Sequence, residues 1–128
     1  MSTRQVILCR CLLIVIVVLH IYYTAGLPPT MPQLMNFSGK ERKNINIPLE
    51  VGPRYTQFGF LLLNDPNGAR VTNMELFHRY DAQQINMQIL SEWIDKRGKM
   101  PVKWRTLTEV LHDIELSTLA SEIEEVKL

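Results

Sequence analysis

Cysteine is scarce: the 128 residues hold two, Cys9 and Cys11, both in the N-terminal block. A spacing of two leaves no room for a framework of closed loops, so a disulfide scaffold and a cysteine-rich zinc site are excluded. Charge of one sign is also lacking, since 14 Lys and Arg stand against 13 Asp and Glu. No general positive excess is aimed at nucleic acid, which rules out a basic nucleic-acid binder as the character of the whole chain. His20, His78 and His112 do not pair at the i, i+4 spacing of metal ligands, and no cysteine lies near His78 or His112. A nucleophile elbow, a phosphate-cradling glycine loop and HExxH are all absent. Glu122, Glu124 and Glu125 would be an unusual acid–base set, because carboxylates crowded on a terminal helix ordinarily form a solvated face. The expectation is therefore no enzyme, no cofactor, no metal and no small-molecule substrate.

What is present divides the chain in two. Residues 1–47 carry a net charge of +4 and residues 48–128 a net charge of −3. Arg4 and Arg10 precede CLLIVIVVLHIYY, Cys11 to Tyr23, which suits the apolar region of a signal peptide, with Thr24 and Gly26 as small residues before a cleavage point. A spanning helix fits as well. Cys11 to Leu27 reaches roughly 26 Å against a hydrocarbon core of ~30 Å, and extension back to Val6 closes the gap. Arg10 then snorkels at one end while Tyr22 and Tyr23 meet the other interface. We take a single-pass membrane anchor over residues 6–27, within a block of 1–27, as the expectation, with a cleaved signal peptide and secretion as the alternative. Cys9 and Cys11 are then either acylation sites beside the membrane or small apolar residues of a helix.

Basic residues next to the apolar run favour a cytoplasmic N-terminus and place the remainder on the lumenal or outer side. Asn36-Phe37-Ser38 is an N-glycosylation sequon usable only there. Residues 28–47, rich in proline and charge with no apolar period, read as a flexible linker.

Residues 48–128 carry helical periodicity throughout. Pro53 suits a first helical position, and Tyr55, Phe58, Gly59, Leu62 and Leu63 follow at helical spacing. Asn64 to Gly68, NDPNG, is a dense turn signal. Thr72 and Glu75 suggest a capping box for a second helix running to about Tyr80, with Met74, Phe77 and His78 on one face. Asp81 suggests the cap of a short third helix, and Asn86 the cap of a fourth with Met87, Leu90, Trp93 and Ile94 as its stripe, broken by Gly98. Trp104, Leu107, Val110, Leu111 and Ile114 recur at steps of three and four, and Ser117 suggests the cap of a last segment carrying Leu119, Ala120 and Ile123. The whole reads as a compact all-α bundle of six short helices. Its expected core is Tyr55, Phe58, Leu62, Leu90, Trp93, Trp104, Leu107, Leu111, Leu119 and Ile123.

These segments resemble the death domain, the six-helix antiparallel interaction module of the death-fold superfamily, over residues 48–127. ILSEWI, Ile89 to Ile94, matches that family's leucine and tryptophan in its fourth helix, and Lys96-Arg97-Gly98-Lys99 resembles the basic turn that follows. WRTLTEVL, Trp104 to Leu111, looks like the fifth helix, LSTLASEI, Leu116 to Ile123, the closing one, and YTQFGFLL, Tyr55 to Leu62, the first. The resemblance implies non-enzymatic association with other death-fold domains, homotypic or heterotypic, in signal transduction such as apoptosis or innate immunity. Such domains ordinarily work in the cytoplasm, whereas the charges around the N-terminal segment point this one away from it. As interaction surface we expect two opposed patches: Lys96, Arg97, Lys99, Lys103 and Arg105 near the turn between the fourth and fifth helices, and Glu122, Glu124 and Glu125 on the last helix, joined by Glu115. Opposite patches on one module invite head-to-tail stacking into rings or open filaments.

Overall fold

The computed structural model describes residues 27–96 and 101–128. These residues are all-helical: α1 (Met31–Met35), α2 (Ile47–Val51), a 3-10 turn (Gly52–Arg54), α3 (Tyr55–Leu62), α4 (Ala69–Phe77), α5 (Ala82–Asp95), α6 (Trp104–Asp113) and α7 (Ser117–Lys127). The expected membrane segment, residues 6–27, lies outside the described residues except for its last member. Among the described residues no helix is long and apolar enough to cross a membrane.

The centre of the bundle is α5. Asp81 caps it, its carboxylate accepting from the Gln84 N–H at 3.2 Å, and the helix then runs unbroken through the Asn86 position. The short third helix and the fourth expected from the sequence are thus one element. Ile85, Ile89, Leu90, Trp93 and Ile94 are buried along it, and α1, α2, the 3-10 turn, α3 and α4 all pack against it. Asn86 does not cap anything: it is fully buried, and its Nδ2 donates to the carbonyls of Pro48 and Gly52, both at 3.0 Å. It ties the end of α2 to α5.

Helix α3 packs on α5 through Gly59, where an added Cβ would lie 2.5 Å from Val71 Cγ2 and 3.1 Å from Ile89 Cδ1. Only a residue without a side chain lets α3, α4 and α5 approach this closely. At the other side of the bundle α6 and α7 form the most extensive helix pair, burying Trp104, Leu107, Val110, Leu111 and Ile114 against Leu119, Ala120 and Ile123.

Three helix ends are closed in the same way. The N–H groups of Asp65, Tyr80 and Leu116 bond back five residues to the carbonyls of Phe60, Glu75 and Leu111. Each closure includes a residue of positive φ: Asn64, then Arg79 and Tyr80 together, then Glu115. This satisfies carbonyls that a helix terminus otherwise leaves open.

The expected linker is a correction. Residues 28–47 are part of the core, because Leu34, Ile45 and Ile47 are fully buried and Phe37 nearly so. Phe37 and Ile45 exchange backbone hydrogen bonds at 3.2 and 2.9 Å, forming an isolated antiparallel bridge. The Phe37 ring meets Trp104 edge to face at 5.9 Å, and the Lys127 ammonium stands 5.6 Å from the first ring and 5.1 Å from the second. Arg42 pairs with Glu50 and, at 2.9 Å, with Glu122. Desolvation opposes its charge, yet the bond to Glu122, followed by Glu50, raises the guanidinium above its ordinary pKa.

Other local signals resolve differently. Helix α4 starts after Gly68, and Thr72 bonds the Gly68 carbonyl instead of capping. Phe77 points outward, away from Met74. Helix α7 is preceded by Leu116 at the cap position, with Ser117 its first residue.

Candidate functional site

The opposed charge patches are only partly available for a partner. Lys96 directs its Nζ to the Leu63 carbonyl at 2.9 Å, so its charge caps the end of α3. Lys103 and Arg105 are exposed, while Arg97 and Lys99 lie outside the described residues. On the acidic side Glu122 is held by Arg42, and Glu124 lies 2.7 Å from His112 Nε2, whose other ring nitrogen meets Ser117 Oγ at 3.0 Å. Glu125 is exposed at the rim of a polar hollow of about 560 Å³ that also takes in Glu41, Arg42, Ser117 and Ser121. Ion pairs of this exposed kind contribute ~0 to 1 kcal/mol each and set register more than affinity. Within the described residues no group of three or more His, Cys, Asp or Glu side chains is arranged to hold a metal ion.

Of the residues expected in the core, Phe58, Leu62, Leu90, Trp93, Trp104, Leu107, Leu111, Leu119 and Ile123 are buried. Tyr55 is half-buried and donates its hydroxyl to Glu75 at 2.9 Å. Burial first, then the bond to Glu75 and its charge, holds this phenol above the usual tyrosine range.

Charge reading of the sequence missed an apolar surface in two parts. At the end of α4, Leu76, Phe77 and Tyr80 are 64%, 81% and 63% exposed. Val71 and Met74 take the inward positions of α4, and the backbone turns outward where Arg79 and Tyr80 both adopt positive φ, 53° and 62°. Such a conformation costs of order 1–3 kcal/mol per residue without glycine. The second part is a groove of about 460 Å³ lined by Arg54, Thr56, Gln57, Phe60, Leu61, Asp113, Ile114 and Glu115. Arg54 lies along it, donating to the Ile114 carbonyl at 2.7 Å and standing 3.6 Å from Glu115. The sequence placed Phe77 on one face with Met74 and His78, so its 81% exposure ran against the apolar period; the groove, which joins residues far apart in the chain, carried no sequence signal.

Compared with known proteins, the chain matches no family model, no curated protein and no solved structure.

Proposed function

We propose that the chain is a non-enzymatic interaction module that associates with other death-fold domains in signal transduction, tethered to a membrane by residues 6–27. The observation that carries this reading is the exposure of large apolar side chains on a bundle with a closed core: Phe60, Leu61, Leu76, Phe77 and Tyr80 stay outside while, among the described residues, 24 hydrophobic side chains are buried. Exposed apolar patches on an otherwise well-packed domain mark binding surfaces. The likeness of α3, α5, α6 and α7 to death-domain segments supports the choice of partner class, since the residues that carry it, Gly59, Leu90, Trp93, Trp104 and Leu119, all lie in the packed interior. Direct binding of the full chain to purified death-fold domains is the test: saturable binding is expected, and its absence across the class contradicts the reading.

The tether is tested by carbonate extraction, in which an anchored chain stays in the membrane pellet and release into the supernatant rejects the anchor. A second reading, a small lumenal or secreted helical binding protein, is favoured by one observation: Asn36 and Ser38 of the sequon are both exposed. It predicts a fall in mass on enzymatic deglycosylation, and an unchanged mass counts against it.

A further inference from the structure

We infer that the chain binds a second copy of itself head to tail, the aromatic knob at the end of α4 entering the groove between α3 and the α6–α7 turn. The inference rests on the interaction-module reading above and names the two surfaces it uses.

The knob is preorganised. Tyr80 N–H bonds the Glu75 carbonyl at 2.8 Å, Asp81 N–H bonds the His78 carbonyl at 3.1 Å, and the Asp81 side chain is fixed as the cap of α5. Phe77 leans against the edge of the His78 ring, centroids 4.9 Å apart, and His78 is held in turn by Gln88. A surface already locked in shape loses little conformational entropy on binding. Buried aromatics in such positions dominate interface energetics, because their large apolar area is removed from water at one point.

The groove complements the knob in chemistry. Phe60 and Leu61 supply apolar walls, 46% and 39% exposed, and a volume of about 460 Å³ falls within the roughly 300–1,000 Å³ of pockets that take up organic groups. Its charged residues are Asp113 and Glu115 against Arg54, an excess of negative charge, and the Glu115 side chain is 85% exposed. On the knob, Arg79 is exposed and forms no ion pair among the described residues. The neighbouring acids of the knob are engaged elsewhere, Glu75 by Tyr55 and Asp81 by the start of α5. Arg79 therefore meets the acidic rim while Phe77 and Tyr80 fill the apolar part; charge fixes the register and the aromatics supply the affinity. Knob and groove share no residue, so one copy can offer both at once, and the contact is heterologous, closing into a ring or continuing as an open chain.

Sedimentation velocity of the detergent-solubilised full chain over a concentration series tests this. The wild-type chain forms species larger than a dimer. Phe77→Ser and, separately, Leu61→Asp weaken self-association roughly thirtyfold, the loss of an anchor residue worth ~2 kcal/mol. Mixed in equal amounts, the two variants form a dimer and stop there, because one intact knob meets one intact groove. Both positions are exposed or half-exposed, and melting temperature is monitored; should Leu61→Asp unfold the chain, the surface double variant Asp113→Lys, Glu115→Lys replaces it. Unaltered association of Phe77→Ser, or a mixture no more associated than its parts, overturns the proposal. A monomeric wild-type chain that still binds another death-fold domain overturns the self-contact alone, whereas a chain that binds neither itself nor any such domain overturns the functional reading with it.

Discussion

Asn86 lies in the middle of α5 with no exposed surface, and its amide donates to two carbonyls from the α2 end of the chain. Truncation leaves a buried acceptor without its donor, so Asn86→Ala should lower unfolding free energy by about 1–3 kcal/mol, read as a shift in denaturation midpoint at constant slope. Gly59 makes the opposite case, in which an added methyl is the fault. Alanine gains about 1 kcal/mol of helix propensity, but a Cβ 2.5 Å from Val71 forces stiff neighbours apart at a cost of about 1–3 kcal/mol. Gly59→Ala should therefore lower the melting temperature, and combining it with Val71→Ala should recover part of that fall beyond additivity, since the two positions touch. An unchanged melting temperature in the single variant contradicts the close packing of α3. Tyr55 adds a pH dependence. Its phenol is held above the ordinary value, so the folded chain keeps this proton more tightly than the unfolded one. The stabilisation is present below about pH 10 and is lost as pH rises beyond it. Alkaline loss of stability should be smaller in Tyr55→Phe, measured by denaturant midpoints on either side of that pH.

At the level of elements, α5 organises the bundle and the segment before α2 seals it. Trp93→Ala removes a large buried side chain from α5 and should cost ~3–5 kcal/mol through the cavity it leaves, a large share of a domain's 5–15; an unchanged melting temperature would contradict its place in the core. The segment 28–46 is tested by Ile45→Ala, expected to cost about 2–5 kcal/mol, where a linker residue would cost almost nothing. Helices α3, α6 and α7 and the apolar stripe of α5 from Leu90 to Ile94 were legible because their apolar residues recur at three and four and their burial is a property of one face, whereas the continuity of α5 through Asn86 was not. Asp81 was legible as a cap because its chemistry is local. The N-terminal segment was not, since Leu34, Phe37, Ile45 and Ile47 follow no single period and owe their burial to partners far along the chain, Trp104 and Lys127 for Phe37. The polar Asn86 misled for a related reason: a good cap residue also serves as an internal clamp when two distant carbonyls are brought to it. The charge patches were legible as composition only, because Lys96 and Glu122 turn out to be engaged within the chain.

Over the whole molecule the charge is near balance, 14 basic against 13 acidic residues, and the proposed recognition accordingly rests on apolar surface ordered by a few charges. Among the described residues, the expected charge patches keep Lys103, Arg105 and Glu125 exposed, beside the α4 knob and the α3 groove. Reversal at Lys103 and Arg105 should alter association rate and its salt dependence more than dissociation rate, as expected for rim charges, and surface interferometry at two ionic strengths separates the two effects. The most direct test of the account is the equilibrium binding isotherm of the detergent-solubilised full chain against purified death-fold domains, itself included. A saturable curve for at least one of them, of micromolar Kd or about −8 kcal/mol, weakened by Phe77→Ser, is the result expected. A flat response to every member of the panel, from a chain whose cooperative thermal unfolding shows it intact, would contradict the assignment.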